Sequence, residues 1–150
     1  MAFGSTNEIL AAAADAVRDA LETALSAESI SVQVEPHMVA NATPPVVDIY
    51  PGDVSKGTDS ASFGEEGELL FTVRARVQGN DDVANWELLN DLMDDSGDLS
   101  IVAALDADET LSGYATSLNF TNPTGIVLYA YGQDTLPGRQ FTLTVVRASS

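Results

Sequence analysis

The sequence predicts an α+β fold: an antiparallel or mixed sheet of about five to six strands, with an N-terminal helix and a two-helix insertion packed against it. Three observations carry this. Residues 6–26 repeat their apolar positions at helical spacing. The stretch ELLFTVRARVQ (68–78) alternates with a period of two. The elements run in the order helix, three strands, two helices, three strands, with short links between the last strands.

Taken in order, Ser5 or Thr6 caps the first helix, and Glu8 sits in its first turn, where the helix dipole favours a negative charge. Ile9, Ala13, Ala16, Val17, Ala20, Leu21, Ala24 and Leu25 form its buried face. Alanine on that face lets the helix lie close to a sheet. Residues 30–37 alternate as a half-exposed strand, with Val32 and Val34 inward. Pro44-Pro45 breaks the chain, VVDIY (46–50) forms the next strand, and Pro51-Gly52 turns it. Residues 52–67 hold four glycines and no periodicity, and read as a long mobile loop; structureless loops beyond about 12–15 residues are usually functional or disordered.

In the strand 68–78, Leu69, Phe71, Val73, Ala75 and Val77 face the core, and Thr72, Arg74, Arg76 and Gln78 face out. Asn80 or Asp81 caps a helix whose buried face is Val83, Trp86, Leu89 and Met93, with Leu88 and Leu92 beside them. Gly97 stops it, and a short helix follows over 101–108. Strands are expected over 113–120, 126–131 and 138–147, joined as antiparallel hairpins by turns at Asn122-Pro123-Thr124-Gly125 and at 132–138. The 150 residues form a single domain, without internal repeats.

The chain carries 23 acidic residues against six basic ones, a net charge of −17. Such a surface repels nucleic-acid phosphates and anionic membranes. Cysteine is absent, which excludes disulfides, thiolate metal sites and a cysteine nucleophile. No signal peptide and no membrane span are read in the sequence.

The motifs point away from catalysis. Asp95-Ser96-Gly97 has the form of an aspartic-protease triplet. That chemistry needs the aspartate in a tight turn beside a strand, so that two carboxylates share a proton. Here the triplet follows a helix and is flanked by Asp94 and Asp98, so it reads as a helix stop. An EF-hand needs an acid five residues before its loop glycine, and Leu92 stands there. Weak cation binding by Asp91, Asp94, Asp95 and Asp98 stays open beside the plainer reading of a solvated acidic face. His37 is the sole histidine and lacks the companions of a zinc site or the Gly-x-Ser-x-Gly elbow of a hydrolase. No glycine-rich phosphate cradle occurs. The expectation is no enzyme activity, no cofactor and no metal.

Contact surfaces are expected instead. Arg74 and Arg76 share one side of a strand and are read either as partners for acids of a neighbouring subunit or as ordinary exposed residues. Tyr129 and Tyr131 share a strand face opposite Ile126, Leu128 and Ala130, so that strand is covered on both sides, by helices or by another subunit. Lys56 and Phe63 sit in the long loop that reaches a neighbour. Asp94, Asp95 and Asp98, with Asp91, crowd the end of one helix, and Asp106, Asp108 and Glu109 crowd the next. The helix dipole opposes each by roughly 0.3–1 kcal/mol at low salt. Acids kept at such ends read as a rim that docks basic groups or keeps a polyanion from sticking.

The alanine-rich N-terminal helix, LLFTVRARVQG (69–79), DDVANWELLNDLMDDSGDLSIVAALDADETL (81–111), GYATSLNF (113–120) and FTLTVVRA (141–148) together resemble the tail terminator, or tail-completion, proteins of long-tailed bacteriophages, most closely versions from phages of actinobacteria. The resemblance spans residues 5–147 and rests on the order of elements and phrases, with no catalytic signature. It implies a small α+β subunit that assembles into a ring, usually sixfold, in the virion at the head-proximal end of the tail. One face of the ring meets the last ring of tail tube protein and the other the head–tail connector, and DNA passes through the lumen without specific binding. Other neck or tail-tube-related proteins share this pattern, and an acidic protein-binding module is the alternative from a different class.

Overall fold

A computed structural model of the chain describes residues 5–26, 31–39, 44–52, 68–79, 83–108, 110–131 and 134–147. Lys56, Phe63 and the expected loop beyond Gly52 lie outside the described residues.

Helix α1 spans Thr6–Ala24. Ser5 and Glu8 close a capping box at its start: the Ser5 hydroxyl accepts from the Glu8 N–H at 3.1 Å, and Glu8 Oε1 accepts from the Ser5 N–H at 3.0 Å. Its buried stripe is Ile9, Ala13, Val17 and Leu21, as expected, but flanked by Leu10 and Ala14. Ala16, Ala20 and Ala24 are only half-buried, because the larger Leu10 turns the stripe toward its own side.

The sheet is mixed and contains six strands: β1 (Gln33–Glu35), β2 (Val46–Pro51), β3 (Glu68–Arg76), β4 (Ala115–Phe120), β5 (Val127–Tyr131) and β6 (Asp134–Arg147). The spatial order is β1-β2-β3-β6-β4, with β5 also on β6. Only β1 and β2 are parallel; every other pairing is antiparallel. Beyond β1, Val39 packs with Val46 and Leu136 on the sheet face opposite the helices. Strand β1 is much shorter than the 30–37 expected, since only its middle meets β2.

Helix α2 (Val83–Met93) lies against β3 and β6, and helix α3 (Ile101–Ala107) lies against α1. Leu88, Leu89, Leu92 and Met93 carry the buried face of α2. Val83, expected inside, is exposed, and Trp86 is half-buried. The stripe is centred on Leu88-Leu89 and Leu92-Met93, in the last two turns. Ser100 caps α3, accepting from the Ala103 N–H at 3.0 Å and donating to the Asp94 carbonyl at 2.5 Å. The hydroxyl thereby satisfies one orphan group of each helix. Gly97, at φ +107°, makes the turn between them, as the helix-stop reading of Asp95-Ser96-Gly97 expects.

The core lies between the helices and one sheet face. Leu69, Phe71, Val73, Ala75 and Val77 of β3 and its continuation supply the centre, with Val47 and Ile49 of β2 and Phe141, Leu143 and Val145 of β6. Burial of these side chains at about 25 cal/mol per Å² of apolar surface is the main stabilising term.

Two expected hairpins become one. β4 and β5 do not pair with each other. Both lie on the edge of β6 away from β3, in line, with β4 against Leu143–Arg147 and β5 against Asp134–Gly138. The stretch Asn122–Gly125 is therefore a bulge rather than a hairpin turn. From Phe120↔Leu143 to Val127↔Gly138 the outer strand advances seven residues and β6 five. Thr121 and Thr124 hold the bulge down: their N–H groups donate to the Thr142 and Gln140 carbonyls, and their hydroxyls accept from the N–H groups of the same two residues. β5 and β6 pair as an antiparallel hairpin, and β6 begins at Asp134, inside the span 132–138 read as a turn.

Candidate functional site

The sheet face away from the helices is where most polar side chains of the described residues are buried. In β2 the alternation that sends Val47 and Ile49 into the core sends Val46, Asp48 and Tyr50 to this second face. Antiparallel pairing sets Asp48 directly opposite Arg74 and Val46 opposite Arg76. Asp48 is fully buried. Its Oδ1 accepts from Arg74 Nε at 3.1 Å. Its Oδ2 accepts from Arg74 Nη2 at 2.5 Å, Arg76 Nη2 at 3.2 Å and the Val39 N–H at 3.1 Å. Arg76 Nη2 also donates to the Val39 carbonyl at 3.1 Å, so both backbone groups of Val39 are tied to the cluster.

The Arg74 guanidinium lies between two aromatic rings, 5.2 Å from the centre of Tyr50 and 5.1 Å from that of Tyr129. Tyr129 donates its hydroxyl to Gln140 Oε1 at 2.7 Å. Gly138 makes room for this arrangement. A Cβ there would stand 2.6 Å from the Ala75 carbonyl oxygen, 2.7 Å from the Tyr129 ring and 2.9 Å from Arg76 Cγ. The cluster therefore links β2, β3, β5, β6 and the chain after β1.

Its electrostatics are lopsided: two guanidinium groups share one carboxylate. Burial works against the charge of Arg74, but the hydrogen bonds and charge of Asp48 outweigh it, and the Arg74 pKa lies above its ordinary value. At Arg76 burial wins over Asp48, with repulsion from Arg74 added, and the pKa falls. Arg76 Nε is buried without a hydrogen-bond partner. Burial raises the phenol pKa values of Tyr50 and Tyr129, against the pull of Arg74. The carboxylate is saturated with donors, one on Oδ1 and three on Oδ2, and so ties β2 to β3 and to the chain after β1.

This corrects the reading of Arg74 and Arg76 as outward-facing. Both are buried, as is Thr72, and both pair with Asp48 of their own chain. The second face is covered by the segment after β1 and by Tyr129, which strand alternation cannot foresee. Asp48 was missed as a site residue. The available signal was a single acid inside the otherwise apolar VVDIY.

The other expected contact residues are scattered. Asp94, Asp95 and Asp98 are exposed at the end of α2. Asp91, Asp94 and Asp98 line an open cleft of about 310 Å³ with Ser96, Gly97 and Leu99. Among the described residues no group of three or more acids or histidines is placed to hold a metal ion. Tyr129 joins Arg74 in the cluster, while Tyr131 is placed by its backbone at the end of β5. His37 is exposed, 3.3 Å from Glu35 Oε2.

The outer strand has a different character. From Thr110 to Gln133 the sequence holds no charged residue, in a chain with 29 of them. This stretch supplies β4, the bulge and β5, the whole edge of the sheet beside β6. Ile126, Val127 and Leu128 are 48%, 45% and 63% exposed there. No protein-family model matches the chain, and no curated protein matches it in sequence.

Proposed function

We propose that this chain is a structural virion subunit: a tail terminator that assembles with its own copies into a ring, sixfold by resemblance, caps the completed tail tube and joins it to the head connector. The observation that carries this reading is the partition of charge over one small subunit. The sheet edge is neutral and partly apolar, which suits contact between copies. Asp91, Asp94, Asp95 and Asp98 at the end of α2 and Asp106 of α3 face solvent, which suits a wall past which DNA slides without being held. The buried arginines are spent on Asp48, so they hold the subunit's shape rather than a ligand.

Electron microscopy of the purified protein mixed with tail tubes tests it. Rings at the tube ends are the expected image. Bare tube ends at saturating protein would overturn the reading. The cleft lined by Asp91, Asp94 and Asp98 favours a second reading, an acidic module that docks a basic partner. Native mass spectrometry with tube protein present separates the two, since the module forms no ring at any concentration.

A further inference from the structure

A strand at a sheet edge exposes unpaired N–H and C=O groups, and proteins protect such edges unless they use them. The two edges of this sheet are treated differently. β1 is three residues long, carries Glu35 and is followed by Pro36. The Val34 carbonyl accepts from Arg18 Nη2 at 2.6 Å. That edge is short, charged and capped.

The β5 edge has none of these devices. Pro137 lacks an N–H, and its carbonyl accepts from the Val77 N–H on the β3 side. The pair Leu128↔Pro137 is therefore not hydrogen-bonded. The backbone groups of Leu128, and of Ala130 two residues on, point away from β6. Among the described residues nothing bonds to them. Arg139 reaches the bulge, donating to the Thr124 carbonyl at 2.8 Å, and stops short of β5. Leu128, beside these free groups, is 63% exposed, against 45% for Val127.

We infer that a second copy of this chain docks here, β5 against β5 in antiparallel register across a two-fold axis. Charge selects the occupant. Two chains of −17 repel wherever acids face each other, and the uncharged stretch 110–133 is where they can approach. A basic partner gains more at the acidic helix ends. The contact is like-to-like because the other edge is closed by Arg18, Glu35 and Pro36. Backbone pairing supplies the hydrogen bonds, and Ile126 and Leu128 supply the apolar area. The pair does not rest on the tail reading. A closed ring needs head-to-tail contacts, so the two-fold pair belongs to the free protein and gives way where the same edge is taken up in a ring.

The test uses the full chain in native mass spectrometry and light scattering from low to high micromolar concentration. It is combined with hydrogen exchange at the Leu128 and Ala130 amides. A dimer is expected, strengthened by salt that screens the like charges, with both amides protected only where the dimer is populated. Leu128→Lys, at an exposed position, should weaken it on the order of a hundredfold, while circular dichroism stays that of the wild type. A monomer throughout, a dimer or ring untouched by Leu128→Lys, or amides protected equally in the monomer would each overturn the pairing. A ring that survives Leu128→Lys would do so while supporting the tail-terminator reading, so the two fail separately. If Leu128→Lys does not fold, concentration-dependent protection in the wild type decides.

Discussion

Replacing Asp48 by alanine removes the acceptor of four hydrogen bonds and leaves two buried guanidinium groups beside each other. Removing one partner of a buried ion pair costs about 3–5 kcal/mol, most of it the desolvation of the charge left behind. Here two cations lose the same anion, so the cost belongs at the upper end. Two smaller effects oppose it. The chain becomes less negative by one unit, which eases surface repulsion, and Arg74 keeps the faces of Tyr50 and Tyr129. Each contributes on the order of 1 kcal/mol or less and does not reverse the sign. For a chain of this size each kcal/mol moves the melting temperature by about 2–4 °C, so a fall of about 6–20 °C is expected. Urea and thermal unfolding followed by circular dichroism at neutral pH measure it. Arg76→Met added to Asp48→Ala should recover at least about 1 kcal/mol, since it removes the less well partnered of the two cations. Asp48→Ala unfolding within about 1 kcal/mol of the wild type, with no recovery in the double variant, would refute the claim that this cluster holds the second face together.

Gly138→Ala places a methyl group 2.6 Å from the Ala75 carbonyl oxygen, which is backbone and cannot rotate away; a loss of about 1–3 kcal/mol is expected in urea unfolding. Converting Asp94, Asp95 and Asp98 together to asparagine should raise the melting temperature slightly, because the acids oppose the dipole of α2; a fall would mean that they have partners within the subunit. Alkaline titration should destabilise the fold. Burial raises the phenol pKa values of Tyr50 and Tyr129, so their contribution is whole below the unfolded value near 10 and is lost as pH rises through the folded values. Tyr129→Phe should flatten that decline in a pH series of unfolding curves, and an unchanged slope would remove Tyr129 from it.

How much of this was legible in the sequence follows from which groups each property depends on. Helix and strand identity depend on near neighbours. Hence the start of α1 at Ser5 or Thr6 with Glu8 in its first turn, the odd-numbered core residues of β3 and the Gly97 helix stop were readable from spacing alone, whereas the reciprocal capping bonds of Ser5 and Glu8 came from the structure. The exposure of Asp94, Asp95 and Asp98 was readable too, because a carboxylate beyond a helix end stays in water unless something distant covers it.

The even-numbered face of β3 was not readable in this way. Whether Arg74 and Arg76 meet solvent is settled by Val39 and Tyr129, which lie 35 and 55 positions from Arg74 and reach it only through the sheet. The in-line arrangement of β4 and β5 was also beyond local reading: Asn-Pro-Thr-Gly suits a turn, yet pairing of both flanks with one long β6 stabilises a bulge instead. Local spacing determined the helices and the centres of most strands, and composition the charge and the uncharged stretch 110–133. The tertiary structure alone decided which polar side chains are buried together and which strands pair, because burial and strand pairing are made between residues far apart in the chain.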